Sequence, residues 1–292
     1  MNAQLQLFFT NIDKIVLYFG ADAKYFYIDL ALKLTVRNIV FNYEDYEKVR
    51  QQIKTNTKWY NFARINTEII NTYFVHYANK PEKVSETLNL HKILTKQFNR
   101  HDDSYIAAAY LKSEEQIERI DLLIKDFMYK ESVKHAPLKL STSAMLAGRA
   151  EDTKVLANSV EQYYQSLVSI GFERTKDTTN TAVILTIGTG DFHHETFARL
   201  KELTTYIKKT EITLTTHRYN TIALLSLAKF EVHQFPALHD MHEEICRFLK
   251  LDRMHFNSLL VATQIYTSTE AIGNLSLYDS PHLFSLLQTI QI

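Results

Sequence analysis

The side chains best equipped for chemistry in this chain are its histidines. There are 12 of them, and several fall in neighbouring stretches. His193 and His194 are adjacent in "GTGDFHHETF", while His233, His239 and His242 share "EVHQFPALHDMHEE". A helix places residues three and four apart on one face, so His239 and His242 project together with Glu243 beside them. Imidazole and carboxylate are ligands for zinc-like metals, but one such pair supplies too few of them. A metal-dependent hydrolase would need His193, His194, His239 and His242 to converge with Asp191 or Glu243. The H-E-x-x-H pattern and cysteine-based zinc spacings are absent. The favoured expectation is therefore no metal and no cofactor.

The two glycines before these histidines, Gly188 and Gly190, suggest a phosphate loop only at first sight. "TIGTGD" lacks the lysine of a Walker loop and the third glycine of a dinucleotide loop, and a helical segment precedes it. It reads instead as a corner. Its glycines take positive φ to close one helix, Asp191 caps the next, and Glu195 sits in that helix's first turn. Cys246 lies in the apolar stripe of "EEICRFL" and reads as a buried small hydrophobe. No G-x-S-x-G elbow occurs. Trp59, Tyr60 and Arg64 in "TKWYNFARIN" form an aromatic-basic cluster and are the candidate binding residues, set against simple packing at a helix start.

Helices must position these residues. Only 6 glycines and 4 prolines occur in 292 residues, and sheet-rich folds consume many more at their turns. Ile117, Ile120, Ile124 and Phe127 step by three and four. So do Leu156, Val160, Tyr163 and Leu167, and then Leu238, Met241, Ile245 and Phe248. Phe197, Leu200, Thr204 and Ile207 repeat the pattern with one polar lapse. Each set is the stripe of an amphipathic helix. A shorter, more apolar segment precedes each of these helices: 104–111, 141–148, 180–187 and 219–228. A fifth such segment begins at 256.

The unit of short helix, corner and longer helix recurs about every 35–41 residues, a period typical of helical-hairpin repeats. A lone hairpin cannot bury its own stripe, so stacked neighbours bury it together. The expected fold is all-α, a degenerate helical-hairpin array resembling an α-solenoid. One helical domain spans 1–292. Within it, 1–100 is a less regular part with helices near 2–19, 22–36, 43–55, 61–79 and 82–97. Repeats occupy 101–270, and 271–292 forms a C-terminal cap.

Lysine plus arginine equals aspartate plus glutamate at 33 each, so no basic field points to nucleic acid. No stretch approaches the ~18 apolar residues of a membrane span, and the N-terminus has no signal-peptide pattern. A single cysteine excludes an internal disulfide. A soluble, cytoplasmic protein is expected, with no nucleic acid and no membrane as partner.

The stretch "YYQSLVSIGFERTKDTTNTAVILTIGTGD" at 163–191, with "AMLAGRAED" before it and "YNFARINTEII" upstream, resembles an uncharacterised bacterial family catalogued as domain of unknown function 4003. The resemblance spans about 25–270. It implies a mostly helical bacterial protein and transfers no catalytic residue. Repeat surfaces commonly hold peptides or proteins. The sequence therefore points to a scaffold with a protein or peptide partner and leans away from an enzyme.

Overall fold

The computed structural model describes residues 2–20, 24–99, 101–135, 138–209, 219–250 and 256–270. Their regular secondary structure is entirely helical, with no strand among the described residues. Amphipathic helices of 13–17 residues alternate with helices of 8–15 residues, shorter on average, that have almost no exposed face. The long set is α1 (Ala3–Phe19), α3 (Tyr43–Asn56), α5 (Lys83–Gln97), α7 (Glu115–Phe127), α10 (Thr153–Ser169), α12 (His194–Lys209) and α14 (Phe235–Leu249). The short set is α2 (Lys24–Thr35), α4 (Thr67–Tyr77), α6 (Asp102–Ala109), α9 (Leu140–Ala147), α11 (Lys176–Thr189), α13 (Tyr219–Leu227) and α15 (Phe256–Glu270). A single turn, α8 (Glu131–His135), links α7 to α9.

Local chemistry starts these helices where they start. Asn2, Asn42, Asn66 and Asp152 each accept a backbone N–H from the first turn of α1, α3, α4 and α10. In the long helices the apolar stripe is buried and the charged face is wet. In α7, Ile117, Ile120, Leu123 and Phe127 are buried and Glu118 is exposed. The short helices differ: every residue of α9 and of α13 is buried. Alanine, serine and threonine make up five of the eight residues of α9, which lets its backbone approach its neighbours closely.

Burial on all sides requires neighbours on all sides. Each short helix packs on the long helix before it in the chain, and the short helices also pack on one another in order: α2, α4, α6, α9, α11, α13, α15. The last then meets both α2 and α1. Among the described residues the array is therefore a closed ring of seven short helices inside seven long ones, where the period had suggested an α-solenoid-like array. The pairing also runs through the first hundred residues, as α1 with α2, α3 with α4 and α5 with α6. The expected cap at 271–292 lies outside the described residues.

Buried polar pairs pin the register of the helix pairs. Asn11 on α1 donates to Thr35 Oγ1 (3.2 Å) and to the carbonyl of Ile39 (3.0 Å), and accepts from Phe41 N (2.7 Å). His91 on α5 meets Ser104 on α6 at 3.0 Å. Ser159 on α10 meets Thr186 on α11 at 3.1 Å, and Thr181 donates to Asn220 across α11 and α13 at 2.9 Å. Such groups are costly to bury unpaired, so each pair disfavours a slipped register. No helix among the described residues is long and apolar enough to cross a membrane.

Candidate functional site at one mouth of the ring

The C-terminal ends of α4, α6, α9 and α11 share one mouth of the ring. There a cavity of about 730 Å³ opens between the ends of α4, α6, α9 and α11, with α5 along one side. Its polar lining includes His76, Tyr77, Lys83, Glu86, Tyr110, Lys112, Arg149 and Glu151. Helix C-terminal carbonyls carry partial negative charge, and this mouth answers them with arginines. Arg119 on α7 donates to the carbonyls of Ala147 (3.1 Å), Arg149 (3.0 Å) and Glu151 (2.7 Å). Arg149 reaches Ile187 O at the end of α11, and Arg199 reaches Ser226 O near the end of α13, both at 3.3 Å. Arg37 bonds Lys33 O at 3.0 Å, and burial brings its pKa down to about 10 while nearby Tyr110 pushes back.

Arg149 also grips Glu151 through two bonds, Nε to Oε2 at 3.0 Å and Nη2 to Oε1 at 2.6 Å. Those bonds hold the Glu151 carboxyl below its ordinary value against the opposing effect of burial. The pair lies directly on Gly190, where a Cβ would stand 1.9 Å from Glu151 Oε1 and 2.6 Å from Arg149 Nη2. With φ at +79° as well, this position has two separate reasons to be glycine. Tyr77 receives a hydrogen bond from Thr87 (2.7 Å), and burial raises its phenol pKa. His76 packs edge-on against Tyr110 at 5.0 Å. Lys83 pairs with Glu86 at 3.2 Å. The Lys112 ammonium has no ion pair among the described residues.

Apart from Gly190, the residues singled out in the sequence fall elsewhere. "TIGTGD" is a corner as expected, but Gly188 lies within α11 and only Gly190 takes positive φ. Asp191 does not cap α12. Its carboxylate accepts from the next residue's N–H, while His193 Nδ1 accepts from Thr196 N at 3.3 Å and serves as the cap. A cap commits that nitrogen, and His194 packs edge-on against Phe192. No group of three donors that includes His193 or His194 lies within ligand reach among the described residues. Among the described residues the one group of three potential metal donors within reach of each other is His239, His242 and Glu243. Cys246 is buried beside His242, with Sγ 3.4 Å from Nε2.

Trp59 and Tyr60 lie in the connection between α3 and α4, and Arg64 sits in a short 3₁₀ turn there. They do not pack at a helix start: Trp59 is 84% exposed and Tyr60 61%. Phe62 and Ile65 in the same connection are exposed too. The mouth residues escaped the sequence reading because they come from four separate corners. "AGRAED" was visible as a corner, but nothing local marks Arg149 and Glu151 as partners of Gly190.

Residues 17–292 match the family described as protein of unknown function (DUF4003). No curated protein and no solved structure matches the chain.

Proposed function

The chain belongs to that family, and we propose that it binds a small polar molecule bearing an anionic group in the mouth of its helical ring. The cavity carries this reading. A large concavity with convergent polar groups is the default binding site of a fold of unknown role. Here its charged walls are already held in place by the Arg149–Glu151 pair and by Arg119. Those arginines are committed to carbonyls and a carboxylate, which leaves Lys112 to meet a ligand carboxylate or phosphate. Tyr110, His76 and Glu86 line the space its remainder would fill. The recurring hairpin acts as a framework unit, and the variable corners after each short helix supply the site.

Thermal shift of the full chain against a panel of small carboxylates and phosphates tests this. A ligand at 100 times its Kd adds about 2.7 kcal/mol of stability. A hit that raises Tm for the native chain and loses most of its effect in Lys112→Ala supports the site. Hits unaffected by Lys112→Ala, or no hits, remove it.

A second reading is supported by the exposed α3–α4 connection. Trp59, Tyr60, Phe62 and Ile65 place four large apolar side chains in water within seven residues, the mark of a docking patch. A protein or peptide partner would cover them, with Arg64 at the edge. Trp59 is the chain's single tryptophan, so its emission reports directly. A blue shift on adding a candidate partner supports docking there, and an unchanged spectrum with bound partner places the contact elsewhere.

A further inference from the structure

We propose that α14 carries a binding site for a divalent transition metal, built from His239, His242 and Glu243. The spacing i, i+3, i+4 puts the three on one face of a single helix. One ligand atom from each lies within 4.8 Å of the others, and His239 Nε2 is 3.9 Å from Glu243 Oε1. Ligand atoms around a tetrahedral zinc ion, bound at about 2.0–2.2 Å, sit roughly 3.3–3.6 Å apart. The group is therefore open by about an ångström, a gap that rotation of one side chain closes.

The burial of the three residues suits that motion. His242 is 8% exposed, and the Glu243 side chain 18%. The His239 side chain is 68% exposed and free to swing in. Two donors are thus held by packing while the third completes the set. One turn further along, Cys246 Sγ contacts His242 Nε2 at 3.4 Å. This contact orients the ring from the protein side, as the partners around metal ligands do.

Two imidazoles and one carboxylate select zinc, cobalt or nickel over calcium or magnesium, which favour all-oxygen shells. Three protein ligands leave a fourth position open to water or an exogenous ligand. None of these donors lines the mouth cavity, so the site is independent of the ligand reading above.

The test uses the full chain without an affinity tag, stripped with chelator and titrated with zinc or cobalt(II) by calorimetry and visible absorption. One tightly bound equivalent is expected, with a cobalt spectrum of reduced coordination number. His239→Ala changes an exposed residue and should leave the fold intact, yet weaken binding about tenfold or more. Glu243→Ala should do the same. His233→Ala alters another exposed histidine, paired with Glu231 at 3.1 Å, and should change nothing. Absence of stoichiometric binding, or equal loss in His233→Ala, overturns the proposal.

Discussion

Phe9 in the first helix stacks on Phe248 near the end of α14, with ring centroids 4.0 Å apart and planes 19° from parallel. Residues 239 positions apart thus share one hydrophobic contact. Together with the packing of α15 on α1 and α2, it closes the ring. An open array leaves its two ends to be covered separately, whereas here each end covers the other.

Phe9 is only 7% exposed, so Phe9→Ala should cost about 3 kcal/mol through lost burial and the cavity left behind. For a chain of 292 residues that lowers Tm by about 5 °C. Phe248→Ala should cost less, because that ring is only partly buried. In a double-mutant cycle the two should couple by about 0.5–1.5 kcal/mol, the usual range for an aromatic pair. Strict additivity would mean that the stack contributes nothing to closure.

Gly190→Ala should destabilise by about 2–3 kcal/mol. The new methyl would need a backbone conformation unfavourable to it and would displace the Glu151 carboxylate. Denaturant unfolding measures this. The same variant should abolish any thermal shift produced by a mouth ligand, because the Arg149–Glu151 wall moves with it.

The Arg149–Glu151 pair also sets an acid limit. Glu151 is held below its ordinary value of 4.5 in the folded chain. Its contribution is therefore complete above that value and fades as pH falls through the lower folded value. Glu151→Gln should cost about 1 kcal/mol at neutral pH. The two proteins should then converge in stability as pH falls below 4.5. Parallel Tm curves down to the acid limit would show that the pair contributes no charge-dependent stability.

Arg119→Ala would leave three carbonyls, those of Ala147, Arg149 and Glu151, without their cationic donor. A loss of about 2–4 kcal/mol is expected, less than the sum of three separate bonds because water reaches part of the site. Arg119→Lys should recover only part of it. One ammonium cannot span three carbonyls that a planar guanidinium reaches at once. Hydrogen exchange at residues 148–151 would show local opening in both variants.

Much of the helical framework was legible in the chain. The stripe Ile117, Ile120, Ile124 and Phe127 marks α7, and the small-residue segments at 104–111, 141–148 and 219–228 mark α6, α9 and α13. These signals are local, because helix periodicity and breaker placement act over a few residues. Local reading also reached the His239, His242 and Glu243 face, since all three sit on one turn. It failed where one polar side chain had several uses open to it. Nothing near Asp191 shows that its carboxylate accepts from the next residue while His193 takes the cap.

The sequence alone determined a helical chain of alternating long and short segments, with corners at regular spacing. Tertiary structure alone decided that the array closes, which corners share a mouth, and which charges meet there. Periodicity records the face a helix buries but not the neighbour that covers it. Joining Phe9 to Phe248, or Gly190 to Arg149 and Glu151, depends on the accumulated rotation of every hairpin between them, and no short stretch of sequence encodes that sum.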